Sequence, residues 1–477
     1  MSLVIPLKRR AGPLFQQVYL GFRQAILSGA FRGGDKLPST RDAAEQLGVS
    51  RTVVLLAYDQ LLAEGYTVGR AGSGTYVSRE IGTTHSARPA DSAKLHLSRF
   101  GSSAASAWEK MNFPQRRMPS LPYDFAYGRS DVDTFPFEMW RRILLRCARK
   151  APVWEHDYGP ASGNAALREA ICSHLRRSRA VACDPTQVVV VNGSQQALDL
   201  IARLLIEVGD RVAIEDPCYQ GTREILRAAG ARLFPVALDR DGLNPSDLPL
   251  SARLAFVTPS HQFPTGTILP LPRRLALLDW AKRRNAIVIE DDYDGEFRYE
   301  GQPLESLQGL DREGRVIYIG TFSRTVFSSL RIGYLIAPKR LVTAFTAAKW
   351  LCDRHTATLE QETLAQFISS GLYERSLRRV RRRNTARRHA LLDAIQTHLR
   401  DRVEVTGSGA GAHVVLWPKK RTAEESLIRD AASKGVGVYG ISPYFMKTSR
   451  RTGIMLGYSR MNETAIAEGI RRLRDIF

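Results

Sequence analysis

The sequence predicts two folded units in one chain: a small, mainly helical unit, then a large α/β unit on a mostly parallel sheet. Three observations predict this. The chain has 477 residues, more than a single small core accommodates. Its first eighty residues carry helical apolar spacing and then a glycine-rich hairpin pattern. From Tyr123 onward, short β-rich runs alternate with amphipathic helical stretches.

Composition narrows the class. An apolar fraction of 44% and a charged fraction of 25% are those of an ordinary soluble globular protein. The net charge of +21 favours a polyanionic partner, nucleic acid first, against the plainer reading of a general arginine bias. No apolar run reaches the ~18–20 residues that cross a bilayer, so no membrane partner is expected. The opening MSLVIPLKRR lacks a charged-then-apolar export signal, and a cytoplasmic location is expected. Cys147, Cys172, Cys183, Cys218 and Cys352 are scattered, with no CxxC pair, which argues against a zinc ribbon, a redox motif or a disulfide framework.

In the small unit, Leu14, Val18, Phe22 and Ile26 recur every four residues as one helical stripe, with Pro13 in its first turn. Gly33 and Gly34 break that helix. A short second helix starts at Pro38 and Ser39, with Ser39 as N-cap, Asp42 in the first turn, and Ala43, Ala44 and Leu47 inward. Gly48 ends it. Ser50 caps a third helix that carries Val54, Tyr58, Leu61 and Leu62 inward, and Gly65 stops it. Tyr66 to Val77, with Gly69, Gly72 and Gly74, reads as a two-stranded hairpin. This order is that of a winged helix-turn-helix.

The text LPSTRDAAEQLGVSRTVVLLAYDQLLAEGY closely resembles the DNA-binding domain of the GntR family, and the match covers residues 12–78. The resemblance implies that the third helix enters the major groove of a double-stranded DNA operator. Ser39, Thr40, Arg41, Ser50, Arg51 and Thr52 are the implied contacts, with Arg70 at the wing. One winged helix reads few base pairs, so a homodimer on paired half-sites is expected. Residues 79–122 are rich in Ser, Ala, Pro and Arg and read as a linker, with a short helix near Ala104 to Lys110.

In the large unit, strands are expected at Val188–Val191, Val212–Ile214, Leu254–Val257, Ile287–Ile289, Val316–Ile319 and Gly333–Ile336. Helices are expected between them, as at Gln195–Glu207 and Leu271–Arg284. Ligands of such folds bind at the carboxyl ends of the strands. The stretches DYGPASGNAALREAI, VVVVNGSQQALDL, VAIEDPCYQG, VTPSHQFPTG, IVIEDDYDGEFRY and IGTFSRTVFSSLRIGYLIAP resemble fold-type I, pyridoxal-phosphate (PLP)-dependent aminotransferases. Their nearest likeness is the branch fused to GntR domains, the MocR/GabR/PdxR-like transcription regulators. The resemblance covers residues 123–477, with a large subdomain to about 340 and a smaller one over 341–477.

That resemblance implies a PLP site. Gly193, Ser194 and Gln195, between a strand and a helix, suit a phosphate. Tyr219 matches the aromatic that stacks on the pyridine ring, and Asp291 the carboxylate that keeps the ring nitrogen protonated. Tyr293 matches the partner of the ring hydroxyl, and Ser323 and Arg331 match phosphate ligands. Other patterns are weaker. The acids Glu290, Asp291, Asp292, Asp294 and Glu296 fail as a calcium loop, because Gly301 falls where a bidentate Glu is required; no metal is expected. Gly435, Gly437 and Gly440 spell GxGxxG without a following dinucleotide context and read as a turn. The arginine-dense run from Arg375 to Arg388 reads as a solvated helix face rather than a second DNA contact.

The pattern breaks at Arg324. The resemblance places there the lysine that forms the Schiff base with PLP. An arginine stays protonated and is no amine nucleophile, so no catalytic residue is expected and transaminase turnover should be lost. Lys339 and Lys349 lie well beyond this loop. Three readings stay open: non-covalent PLP, a preformed PLP–amino acid or other anionic ligand, or a lysine-to-arginine form of a PLP-binding regulator. A second break is Met455, where aminotransferases often place a substrate-carboxylate arginine; Arg460 follows five residues later. The expected function is a DNA-binding regulator whose aminotransferase-like domain senses PLP or a PLP-linked or amino-type effector. The rival is a PLP-dependent aminotransferase with an accessory DNA-binding domain.

Overall fold

The computed structural model describes residues 5–8, 12–81, 96–128 except 111–120, 130–150, 157–299, 301, 304–447 and 451–477. Residues 82–95 and 111–120 of the expected linker lie outside the described residues. The chain divides into two compact units between residues 96 and 97.

The first unit holds α1 (Leu14–Leu27), α2 (Thr40–Leu47), α3 (Arg51–Ala63) and the hairpin β1 (Thr67–Arg70) and β2 (Gly74–Val77), with Thr67 opposite Val77. The starts of α2 and α3 are set by side chains. Ser39 Oγ accepts from the Asp42 N–H at 3.2 Å, and Ser50 Oγ from the Val53 N–H at 3.4 Å. Gly48 ends α2 at φ 63°, a left-handed position that suits glycine. Val18, Phe22, Ile26, Ala43, Val54, Tyr58, Leu61 and Val77 form one core. Phe22 meets Tyr58 edge-on at 5.2 Å, and the Tyr58 hydroxyl donates to the Pro38 carbonyl at 3.0 Å, tying α3 to the turn before α2. Leu62 departs from expectation at 49% exposure, because it is turned about 100° from Leu61, which faces the core. Leu14 and Leu47 are half-buried, and Pro13 caps α1 rather than entering it.

The second unit begins with α4 (Arg99–Lys110), β3 (Tyr123–Asp124), α5 (Phe137–Lys150) and α6 (Ala165–Arg179). It continues through β4 (Val188–Val191), α7 (Ser194–Leu205), β5 (Arg211–Asp216), α8 (Gln220–Ala228), β6 (Arg232–Asp239), β7 (Gly242–Leu243) and β8 (Leu254–Val257). Next come α9 (Leu271–Arg284), β9 (Ile287–Asp291), α10 (Leu307–Leu310), β10 (Val316–Thr321) and β11 (Gly333–Ile336). The helices α11 (Val342–Asp353), α12 (Thr358–Ser369) and α13 (Leu372–Leu399) lead to β12 (Val403–Thr406) and β13 (His413–Pro418). Last are α14 (Glu424–Ser433), β14 (Val436–Gly437), β15 (Tyr439–Gly440), β16 (Ile454–Gly457) and α15 (Glu463–Leu473).

The eight-stranded sheet has the order β4-β11-β10-β9-β8-β5-β6-β7. Strands β10, β9, β8, β5 and β6 pair in parallel, while β11 runs against both β10 and β4. Both faces are covered. Val188 and Val190 join a core with α6 and α12, and Val189 and Val191 join another with α7. That explains an unbroken valine run where a half-exposed strand would alternate. The carboxyl ends of β4, β5, β9 and β10 share one edge, and the reversed β11 brings its first residue, Gly333, there opposite Thr321 and Val191.

The smaller lobe is the antiparallel sheet β12-β13-β16-β15, packed with α13 and α15 around Phe125, Leu391, Val414, Leu456 and Ile470. The lobes do not divide at one residue near 340. β3 pairs with β14 in the smaller lobe, whereas α11 packs on α7 and β4, and α12 on α5 and α6. α4 spans twelve residues and packs on α8, so part of the expected linker belongs to the large unit.

Long-range packing changes three local readings. In α13, Arg387 and Arg388 are buried: Arg387 donates to Asp131 Oδ2 at 2.8 Å and to the Ser459 carbonyl, and Arg388 to the Ser408 carbonyl. Arg381 pairs with Glu296 at 2.8 Å, leaving Arg375, Arg378, Arg379 and Arg382 exposed. The run is therefore half structural and not simply a solvated face. Gly437 and Gly440 lie in β14 and β15, and a Cβ on Gly440 would strike Glu424. The free thiols of Cys172 and Cys183 approach to 2.9 Å, although eleven residues separate them.

Removing Arg387 leaves Asp131 buried with, among the described residues, the longer 3.5 Å contact to Arg383 as its remaining ion pair. Arg387→Gln is expected to destabilise the large unit by about 3–5 kcal/mol, and Arg379→Gln by no more than about 0.5 kcal/mol. Urea unfolding of the two variants checks this; equal losses would contradict the division of the run.

Candidate functional site

Three consecutive acids at the end of β9 show how the sheet sorts its side chains. Pleating sends neighbours to opposite faces. Glu290 accepts from the N–H groups of Leu307 and Gln308 at 3.0 and 2.9 Å. Asp292 accepts from Arg179 Nε at 2.7 Å and the Tyr318 hydroxyl at 2.6 Å. Asp291, between them, is 6% exposed, and its Oδ1 has no hydrogen-bond partner. Burial, then the neighbouring carboxylates of Asp292, Asp294 and Glu215, push its carboxyl up to about 7. Glu296 is taken up by His174 and Arg381, and Asp294 by His261.

The other expected residues gather at the same edge. Gly193 precedes α7 at φ 79°, and α7 has no side-chain cap on its first N–H groups, those of Ser194 and Gln195. Arg331, itself left-handed at φ 54°, lays its guanidinium over Gly193 and donates to the Asn192 carbonyl at 3.1 Å. A Cβ on Gly193 would lie 2.7 Å from Arg331 Nη2, so the contact requires glycine. Ser323 follows β10, and its Oγ accepts from Thr321 at 3.1 Å. Tyr219, 39% exposed, follows β5, with its hydroxyl 3.4 Å from Gln195 Oε1. The Tyr293 hydroxyl donates to the His261 carbonyl at 2.9 Å and also lies 3.0 Å from His261 Nδ1.

Next to these residues opens a cavity of about 740 Å³ that includes Tyr219 and Arg324 in its wall. The Arg324 guanidinium sits 4.5 Å from the centre of the Tyr127 ring. Sequence reasoning missed Tyr127, Phe263 and Tyr444, which line the same space from three distant segments. Their common signal was only aromatic composition. The roof is fastened to the sheet: Asp216 accepts from the N–H groups of Met446 and Lys447 at 2.7 and 3.2 Å, and Cys218 N–H donates to the Tyr444 carbonyl at 3.0 Å.

These residues fit PLP. A buried carboxylate oxygen lacks a donor, an aromatic ring stands beside it, and a guanidinium with uncapped helix N–H groups lies along the same sheet edge. The donor set suits a flat heteroaromatic phosphate. No lysine lines the cavity among the described residues. Lys349 is buried in α11, paired with Asp353 at 2.5 Å.

In the first unit, Ser39, Arg41, Arg51 and Thr52 are exposed at the adjoining starts of α2 and α3. Arg51 Nε donates to Thr40 Oγ1 at 3.2 Å, joining the two helix starts. Ser39 and Ser50 already serve as caps. Arg70 stacks on Tyr76 in the hairpin at 4.5 Å, with Lys36 on the same ring at 6.0 Å. Sequence reasoning did not single out Lys36, or Leu55 and Leu56, which stand 46% and 49% exposed on α3.

Comparison with known proteins fits both units. The model for bacterial regulatory proteins of the gntR family matches residues 14–77, and that for aminotransferase class I and II matches residues 127–472. The "Probable rhizopine catabolism regulatory protein MocR" of Rhizobium meliloti is 38% identical over 98% of this chain and 94% of its own length. The chain belongs to the MocR family of regulators. The pyridoxine biosynthesis transcriptional regulator PdxR of Corynebacterium glutamicum is 32% identical over 95% of this chain and 93% of its own. The α-aminoadipate aminotransferase LysN of Thermus thermophilus superposes with a TM-score of 0.70 at 28% identity, covering 80% of this chain and 98% of that one. This MocR-type regulator thus joins a GntR helix-turn-helix domain to a fold-type I aminotransferase-like domain. No helix among the described residues is long and apolar enough to cross a membrane.

Asp291 gives this site a pH signature. Its folded carboxyl is raised from the ordinary carboxylate range to about 7, so ionisation costs stability progressively as pH rises toward and through 7. In cofactor-free protein, Asp291→Asn is expected to raise Tm by several degrees at pH 8, the gain shrinking as pH falls to 5. Scanning calorimetry across that range checks it; a gain independent of pH would place the cost elsewhere.

Proposed function

We propose that this MocR-type regulator binds an operator through its first unit as a homodimer, and that its second unit senses PLP held without a covalent bond. The observation that carries the reading is Arg324, a guanidinium where the resemblance calls for the reactive lysine, in a cavity with no lysine in its described wall. Asp291 would accept a hydrogen bond from the ring nitrogen, and Tyr219 would cover the ring face. Tyr293 would accept from the ring hydroxyl. The N–H groups of Ser194 and Gln195 would hold the phosphate together with Ser323 and Arg331, while Gly193, whose own N–H donates to the Val191 carbonyl at 2.9 Å, would contribute by leaving room for Arg331. When bound, the cofactor supplies an electron-withdrawing ring and an aldehyde. Arg324 can donate hydrogen bonds to such a guest but has no free amine to attack it, and it cannot shuttle a proton at neutral pH. Transaminase turnover is therefore not part of the proposed function.

In the first unit, the exposed Arg51 and Thr52 at the start of α3 would read base edges, and Arg41 and Arg70 would hold phosphates. The exposed Leu55 would suit a thymine methyl group. Operator affinity would respond to the ligand only through a difference in binding between two arrangements of the dimer.

The test uses a duplex selected by the protein from a random-sequence library. Arg51→Ala is expected to weaken binding by about tenfold or more, while Arg324→Ala leaves it intact. PLP should bind the wild type without becoming fixed by borohydride, and Arg324→Lys should make it fixable and yellow. Steady transamination by the wild type, or a borohydride-stable adduct on it, would overturn the reading.

A further inference from the structure

The cavity beside the cofactor cradle has a chemistry of its own. Among its described wall residues, Arg324 and Arg460 are the charged groups, and no aspartate or glutamate joins them. Phe137, Phe263 and Phe327 supply apolar surface, and Tyr127, Tyr439 and Tyr444 supply rings with hydroxyls. Burial pushes the Tyr444 hydroxyl up to about 12 and that of Tyr127 higher still, so neither offsets the two guanidinium charges. Met455, 2% exposed in β16, replaces with a thioether the arginine that the resemblance places there. Arg460 stands exposed just beyond that strand and lines the cavity instead.

Two guanidinium groups with no carboxylate in the described wall, in a space lined by aromatic rings, disfavour a protonated amine and favour an anion, although the buried Asp291 carboxyl behind the wall also feels the Arg324 charge. Gly193, Asp291 and Arg331 are not in this wall, so the cavity extends beyond the cofactor cradle and meets it at Tyr219 and Arg324.

We propose that, beside PLP, the second unit takes a second ligand, an organic acid: a carboxylate on an aromatic or similarly flat apolar body, its acid group held by Arg460 with Arg324 adding the second positive charge. Its body lies against Phe263 and Phe327. This inference rests on the sensor reading above and names the chemical class of the second ligand that the sensor takes.

The test is calorimetric titration of the full-length protein with hydrocinnamate, phenylpropylamine, phenylpropanol and inorganic phosphate, each with and without PLP. Hydrocinnamate is expected to bind about tenfold or more tighter than the amine and the alcohol. Arg460→Gln, at an exposed position, should remove that preference, and Arg324→Gln should weaken it. PLP should not displace the acid. Equal binding of the alcohol, tighter binding of the amine, unchanged affinity in Arg460→Gln, or displacement by PLP or inorganic phosphate would each overturn the inference. So would no binding of hydrocinnamate at all. Operator and PLP binding are measured on the same samples. If both persist while the acid fails to bind, only the second-ligand inference is wrong; if the wild type binds no operator, the sensor reading itself falls.

Discussion

Asp291 sits dry at the end of a buried strand with one oxygen unanswered, while the acids on either side of it are fully engaged. The pleat of β9 separates these fates. Glu290 and Asp292 turn toward structural donors and hold the sheet to α10, α6 and β10, whereas Asp291 turns the other way. A protein tolerates such a group when the site it serves needs a carboxylate poised there. The neighbouring features follow from the same sheet edge: β11 runs backward so that Arg331 arrives beside Gly193, and β5 ends where Tyr219 can stand at the mouth of the cavity.

Much of the architecture was legible because its signals are local. The valine run of β4 and the apolar runs of β8, β10 and β11 mark strands buried on both faces. Ser39, Gly48 and Ser50 mark helix boundaries by chemistry that acts over three residues. β6 was not legible, since Pro235 interrupts it and all its side chains but Val236 are exposed or half-exposed. Nor were the short strands of the smaller lobe. Arg387 and Arg388 looked like surface charge because the groups they meet, Asp131, Ser459 and Ser408, lie far away in sequence. The cradle residues were named through family resemblance, not spacing; Tyr127, Phe263 and Tyr444 carry no motif and converge only in three dimensions.

Arg324 changes what the same scaffold does. A lysine at that place would be a reactant. An arginine is a fixed positive charge, here leaning on the Tyr127 ring without a carboxylate partner among the described residues. On the proposed reading, the charge balance of the cavity rather than covalent chemistry would set which guests are retained. Met455 and Arg460 move the second positive charge from a buried strand to the rim.

The fastening of the cavity roof has a mechanical meaning. Asp216 at the end of β5 grips the backbone of Met446 and Lys447, so the central sheet and the smaller lobe are already stitched together on one side of the opening. A guest touching both Tyr219 and Arg460 adds a stitch on the other side. If the proposed acid binds there, its occupancy would be registered as stiffness between lobes, a signal that can travel without any large displacement of either.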